Sequence, residues 1–188
     1  MTENMHSLIA AKLEELGPST AVAFEIKIDS YFDAVRGIVD DFASGKDLMC
    51  VYVTASVPSS TLNSALQALE VKVKDLRFVD CISHSLMAPM EESENTAFVE
   101  SPTMLENIIL KVEYFSRMAQ GKKMLVVMDS VNSFALHNEN KMLTEFLTIL
   151  TNNLKAKEAY PVLLAIPDQL RPETKETMAM ICDIIIPL

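Results

Sequence analysis

The run KKMLVVMD, from Lys122 to Asp129, is almost unbroken in apolar residues, is short enough for a strand, and leaves no polar face toward water. A strand of that kind is stable only where both faces of its sheet are covered, as in parallel sheets with helices on either side. The pattern recurs in TAVAFEIKI (Thr20 to Ile28), DLMCVYVT (Asp47 to Thr54), LRFVD (Leu76 to Asp80), PVLLAIP (Pro161 to Pro167) and CDIIIPL (Cys182 to Leu188). Helical spacing occupies most intervals. Leu8, Ile9, Leu13 and Leu16 mark an N-terminal helix within residues 1–17, running from near Thr2 to the Gly17-Pro18 stop. Tyr31, Phe32, Val35, Ile38, Val39 and Phe42 form a second stripe ending at Gly45, and Leu62, Leu66 and Leu69 a third after Pro58. Ser101-Pro102-Thr103 with Glu106 opens a fourth helix, with Leu105, Ile108, Ile109, Val112 and Phe115 on its apolar face and Gly121 at its close. One long helix after Asp129 carries Met142, Leu143, Phe146, Leu147, Leu150 and Leu154, and Pro172 begins a short last one.

Strands alternating with helices demand crossover connections, which are right-handed. The expected fold class is therefore α/β: a three-layer, mostly parallel sheet flanked by helices on both faces, in a single domain spanning 1–188. Residues 81–100 break the alternation. They carry Pro89 and the acidic Glu91, Glu92 and Glu94 without periodicity, and predict a long, mobile acidic loop, with partner recognition as the alternative to a merely solvated connection.

Composition excludes several function classes. A chain of 188 residues that is 49% hydrophobic has ample material for one core, which argues against disorder. The formal net charge of -10, with 16 scattered cations, opposes autonomous nucleic-acid binding. Cys50, Cys81 and Cys182 form no C-x-x-C pair, so neither a zinc site nor a disulfide framework is expected. Met1 to Ala10 has no signal-peptide pattern, and no apolar run reaches the roughly 20 residues of a membrane span, so a cytoplasmic protein is expected.

Ligands of open α/β sheets bind outside the carboxyl ends of the strands. The first strand ends in Glu25-Ile26-Lys27-Ile28-Asp29-Ser30-Tyr31-Phe32-Asp33, where a nucleotide-binding chain would carry G-x-x-x-x-G-K-[ST]. The chain holds only 4 Gly, against about 13 at average usage, and none lies between Gly17 and Gly37. No Lys-Ser or Lys-Thr pair replaces the motif, and Glu25, Asp29 and Asp33 bring negative charge to a helix start that would otherwise welcome phosphate. VVMDS (Val126 to Ser130) has the form of a Walker B strand. In a nucleotide site Asp129 would hold magnesium through water or Ser30; the plainer reading is that it hydrogen-bonds the following turn, and the missing phosphate loop favours it.

VYVTASVPSSTL (Val51 to Leu62), RFVDCIS (Arg77 to Ser83), FVESPTMLENI (Phe98 to Ile108), KMLVVMDSVNSF (Lys123 to Phe134) and MICDIIIPL (Met180 to Leu188) carry a further signal in their order and spacing. Over about residues 20 to 188 the chain resembles RecA-like ATPase domains of the KaiC type, and more closely archaeal KaiC-related proteins that lack a functional phosphate loop. The resemblance implies a P-loop NTPase fold with a degenerate phosphate loop. Active KaiC-type domains carry catalytic glutamates just after the second strand, where this chain reads Ala55-Ser56-Val57. The resemblance therefore implies a pseudo-ATPase.

Other chemistries have little support. No G-x-S-x-G elbow exists, and no spacing ties His6, His84 or His137 to a nucleophile. His84, near Asp80 and Cys81, reads as a solvated loop residue, and Cys50 and Cys182 as inert core thiols. Met87, Met90, Met104, Met118, Met128, Met142, Met178 and Met180 read as core filling ahead of a docking face. Arg171 reads as a surface or helix-start residue ahead of an arginine finger. The expected function is a non-catalytic domain acting in regulation or scaffolding through a protein partner or self-association, with no catalytic residue, cofactor, metal or membrane. The alternatives are an atypical nucleotide-binding protein or ATPase using Asp129 and Ser30, with Lys27 and Ser130 as further candidates and Mg-ATP as cofactor, and a small-molecule sensor with a pocket at the strand ends.

Overall fold

In the computed structural model, residues 4–71, 74–91 and 93–188 are described. The strands are β1 (Val22–Glu25), β2 (Met49–Thr54), β3 (Leu76–Asp80), β4 (Thr96–Phe98), β5 (Met124–Asp129), β6 (Tyr160–Ala165) and β7 (Ile184–Pro187). They form one parallel sheet in the order β4-β3-β2-β5-β6-β1-β7. β2, β5 and β6 are buried along their whole length, as their unbroken apolar sequences require.

The direction of each crossover decides which face its helix covers. Steps from β1 to β2 and outward to β3 lay the helices α2 (Tyr31–Arg36) and α3 (Ser59–Ala68) on one face, where α1 (Met5–Leu16) also packs. Return steps place α4 (Leu105–Met118), α5 (Val131–His137), α6 (Asn140–Ala156) and α7 (Pro172–Ile181) on the other. Two apolar cores result. On the first, Phe24, Tyr52, Leu125 and Val127 of the sheet meet Val35, Ile38, Val39 and Phe42. On the second, Val51, Val126 and Leu163 meet Ile108, Phe115, Phe146 and Leu150. Each large side chain so buried contributes about 1.5–3 kcal/mol.

The structure departs from the sequence reading in several places. Within 81–100, expected as loop, β4 pairs in parallel with β3 through Phe78↔Thr96 and Asp80↔Phe98; three half-buried edge residues are too few to display a two-residue period. Glu92 of that stretch and Thr2 of the N-terminal helix lie outside the described residues. The long helix expected after Asp129 is α6, which buries Leu143, Phe146, Leu147, Leu150 and Leu154, and the short α5 precedes it. Asn138 separates the two in an extended conformation, its amide bonded to the carbonyls of Phe134 and Pro102 at 2.9 and 3.1 Å. The second stripe runs beyond α2 as a wide-turned π-helix, Gly37–Ser44. Methionine is distributed otherwise than expected: Met128 and Met178 are buried, whereas Met87, Met90, Met104, Met142 and Met180 are exposed. Among the described residues no helix is long and apolar enough to cross a membrane.

Candidate functional site

The connections leaving β2 and β5 diverge, one toward β3 and the other toward β6. That divergence makes the carboxyl ends of these neighbouring strands the switch point at which open sheets take ligands. Register aligns Thr54 with Asp129 there, and the period of two puts Asp129 on the same face as Val127 and Leu125, toward α2.

Two tyrosines meet the Asp129 carboxylate. The Tyr52 hydroxyl donates to Oδ2 at 2.8 Å, and the Tyr31 hydroxyl donates to the same oxygen. The two phenol oxygens are 3.1 Å apart. Asp129 is 1% exposed, and its backbone carbonyl accepts from Ala55 N–H at 2.8 Å and from the Ser56 hydroxyl at 3.4 Å. Ser130 follows through a cis peptide and caps α5, accepting from Ser133 N–H at 3.3 Å. Asn132 ties the ends of β5 and β6 together by exchanging hydrogen bonds with the Ile166 backbone at 2.8 and 2.9 Å.

Of the residues singled out from sequence, Asp129 and Ser130 stand at this switch point, both buried. Lys27 is exposed, and Ser30 is half-buried with its N–H donating to the Lys27 carbonyl at 3.0 Å. Among the described residues neither side chain hydrogen-bonds Asp129. Tyr31 and Tyr52 were missed as site residues, because each has an adequate reason to exist as an apolar residue of its own element. Their convergence depends on a strand register and a helix entry angle that no local spacing encodes.

Burial pushes the Asp129 carboxyl above the usual carboxylate range, against the hydrogen bonds of Tyr31 and Tyr52, which pull it down. Burial, reinforced by the Asp129 charge, raises both tyrosines far enough to keep them neutral donors. Because the folded value of Asp129 exceeds the unfolded one, its ionisation costs stability progressively as pH rises between the two. In Asp129→Asn the amide oxygen still accepts from the phenols, so the change at any one pH is about 1 kcal/mol. Urea unfolding is expected to show the stability of the variant relative to the native chain rising as pH climbs from about 4, in the ordinary carboxylate range; the reverse trend would contradict the upward shift.

The remaining candidates form no second centre. His84 is exposed, His6 pairs with Asp41, and no cluster of metal-ligating side chains occurs among the described residues. Cys50, Cys81 and Cys182 are free and buried, and burial raises all three thiols, Cys182 to about 12. Arg171 donates to the Ala135 carbonyl. A polar cleft of about 580 Å³ lies between α3, β3 and β4, lined by Ser60, Asn63, Arg77 and Asn95.

The seven-stranded parallel sheet with helices on both faces is the α/β class expected from the sequence, and its fold is shared with a KaiC-like protein. Solved structures agree. A KaiC-like protein from the hyperthermophilic archaeon Pyrococcus horikoshii matches with a TM-score of 0.61 at 17% identity, over 94% of this chain and 77% of its own. The flagellar accessory protein FlaH from Methanocaldococcus jannaschii matches at 0.56 and 12%, over 94% and 76%. An uncharacterized Pyrococcus horikoshii protein, solved in complex with an unknown peptide, matches at 0.62 and 12%, over 94% and 82%. No protein-family model matches the chain, and no curated protein sequence does.

Proposed function

We propose that this chain is a RecA-like domain that does not turn over nucleotide and acts in regulation or scaffolding by associating with other proteins in an archaeal cytoplasm. The observation that carries this reading is the capping of Asp129 by two phenols. A magnesium ion keeps most of its waters and needs carboxylate oxygens free to receive them, whereas Oδ2 of Asp129 is engaged by Tyr31 and Tyr52.

The backbone after β1, where phosphate would sit, supports the same reading. Among the described residues none from Val22 to Arg36 has a positive φ, so the alternation of right- and left-handed residues that turns successive N–H groups inward around an anion is lacking. Ala55, Ser56 and Val57 follow β2, and none can activate water as a carboxylate would. Mg-ATP does not fit this residue set. Association suits a fold that in one solved relative is in complex with a peptide, and three unpaired thiols suit a reducing compartment.

Calorimetric titration with Mg-ATP is the test. No saturable heat is expected, and the melting temperature should not move, since a ligand at about 100 times its Kd would add about 2.7 kcal/mol. Micromolar affinity, with turnover abolished in Asp129→Ala, would overturn the reading.

A further inference from the structure

Three connections leaving the carboxyl ends of β3, β4 and β5 present large apolar side chains to solvent: Leu86, Met87 and Met90 after β3, Met104 after β4, and Leu136 on α5. Met87 is 93% exposed and Leu136 81%. Hydrogen bonds join the segments. The Ser85 hydroxyl donates to the Glu100 carbonyl at 3.5 Å, and the Asn138 amide to the Pro102 carbonyl at 3.1 Å.

The display is built in advance. Leu86 N–H donates to Ile82 O at 3.1 Å, Met87 N–H to His84 O at 3.2 Å and Ala88 N–H to Ser83 O at 2.9 Å. Met87 itself is held at a φ of 50°, a conformation a methionine adopts at a cost of about 1–2 kcal/mol. A turn so thoroughly bonded holds its most exposed apolar side chain outward in spite of water.

The connections that form this face are acidic. Glu91, Glu94, Glu100, Glu106 and Glu139 are exposed, and among the described residues none of them forms an ion pair. No Lys or Arg occurs in residues 81–110 or 124–140. Arg171 reaches the edge of the face, where the Ala135 carbonyl and the Glu173 carboxylate engage it.

We infer that this face docks a basic amphipathic helix of a partner protein. The inference rests on the association reading above and names the chemistry of the partner. The apolar stripe of such a helix covers Leu86, Met87, Met104 and Leu136, the methionines adapting to its side chains, while its lysines and arginines meet the unpaired glutamates. A helix satisfies its own backbone hydrogen bonds, so it asks only for side-chain contacts. The N–H groups of Ile82, Ser83, Leu86, Met87 and Ala88 in the turn are already engaged, which leaves an extended segment fewer donors to pair with.

The test uses the full chain and fluorescence anisotropy of a labelled helical peptide of about 18 residues, with leucines at i, i+3, i+4 and i+7 and lysines elsewhere. The expected result is saturable micromolar binding that weakens with salt, and at least about tenfold in both Met87→Ser and Leu136→Ser. Leu69→Ser, at the opposite end of the sheet, should leave it unchanged. Equal binding of a scrambled peptide, equal binding of a glutamate-for-lysine peptide, or indifference to both substitutions would overturn the inference. So would a dimer in sedimentation equilibrium that Leu136→Ser dissociates, which would make the face a contact between copies. Failure here with Mg-ATP still unbound leaves the non-catalytic reading standing, whereas Mg-ATP binding removes that reading whatever the peptide does.

Discussion

Asp80→Ala is expected to lower stability by about 3–5 kcal/mol, the lower part of the range for three buried N–H groups left without acceptors at about 1–3 kcal/mol each. Asp80 is 0% exposed and ends β3. Oδ2 accepts from Ser59 N–H at 2.7 Å and from the Ser83 hydroxyl at 2.6 Å, and Oδ1 accepts from the N–H groups of Ile82 and Ser83 at 3.0 and 2.9 Å. Ser59 is the first residue of α3, so one of these bonds satisfies an N–H that the helix cannot, and sets a negative charge against the positive end of its dipole. Alanine would leave three buried N–H groups without acceptors, each costing about 1–3 kcal/mol if nothing replaced it. At about 2–4 °C per kcal/mol for a chain of this size, the melting temperature should fall by roughly 6–20 °C.

The same residue sets a pH dependence. Burial pushes the Asp80 carboxyl up, but the hydrogen bonds from Ser59 and Ser83 outweigh it and leave the group below the usual carboxylate range. A carboxylate lowered on folding contributes stability that is complete above its unfolded value and is lost as pH falls through the folded one. The gap between native and Asp80→Ala chains should therefore close in acid, and urea titrations at several pH values would reveal it. A gap independent of pH would mean that the carboxylate acts as a spacer rather than as a charge. Since Ile82 and Ser83 begin the turn that presents Leu86 and Met87, peptide binding should weaken in this variant even where most of the chain remains folded.

Asp80 and Asp129 illustrate what the sequence can and cannot reveal. Both end apolar strands, and the strands themselves are legible because a sheet covered on both faces forces continuous apolar runs. The two carboxylates look alike in sequence, yet one is drawn down by backbone N–H groups and the other is pushed up by burial against phenols. The difference lies in partners at distances of 21 residues for Ser59, and 98 and 77 residues for Tyr31 and Tyr52. Pairings of that range depend on sheet order and register, which periodicity does not carry. Edge strand β4 escaped detection for another reason, since three half-buried residues contain hardly more than one period. The exposed methionines could not be separated from core ones, because the type of residue that fills a core is also the type that adapts to a partner.

Glycine poses the same problem in the backbone, and Gly37→Val is the other substitution with a large expected effect. Gly17 and Gly37 are equivalent in a composition count. Gly17 has a φ of +73° with nothing within 4 Å of a built Cβ, so it is required for its conformation alone. Gly37 has ordinary helical angles, φ −57° and ψ −39°, where a side chain would on propensity be preferred. What forbids it is space: a Cβ would lie 2.6 Å from the His6 carbonyl oxygen and 2.8 Å from the His6 Cα. Both are backbone atoms of α1, so no rotamer change relieves the clash and α1 must move as a body. Moving it uncovers Ile9 and Leu13, buried against Val35, Ile38 and Phe42, and parts His6 from Asp41. The expected cost is about 3 kcal/mol, at the upper end for overpacking a filled core. Amide exchange should show residues 5–16 losing protection ahead of the central strands, as expected when one element detaches locally. Unchanged stability and unchanged protection of α1 would mean that this helix does not need the close approach that Gly37 permits.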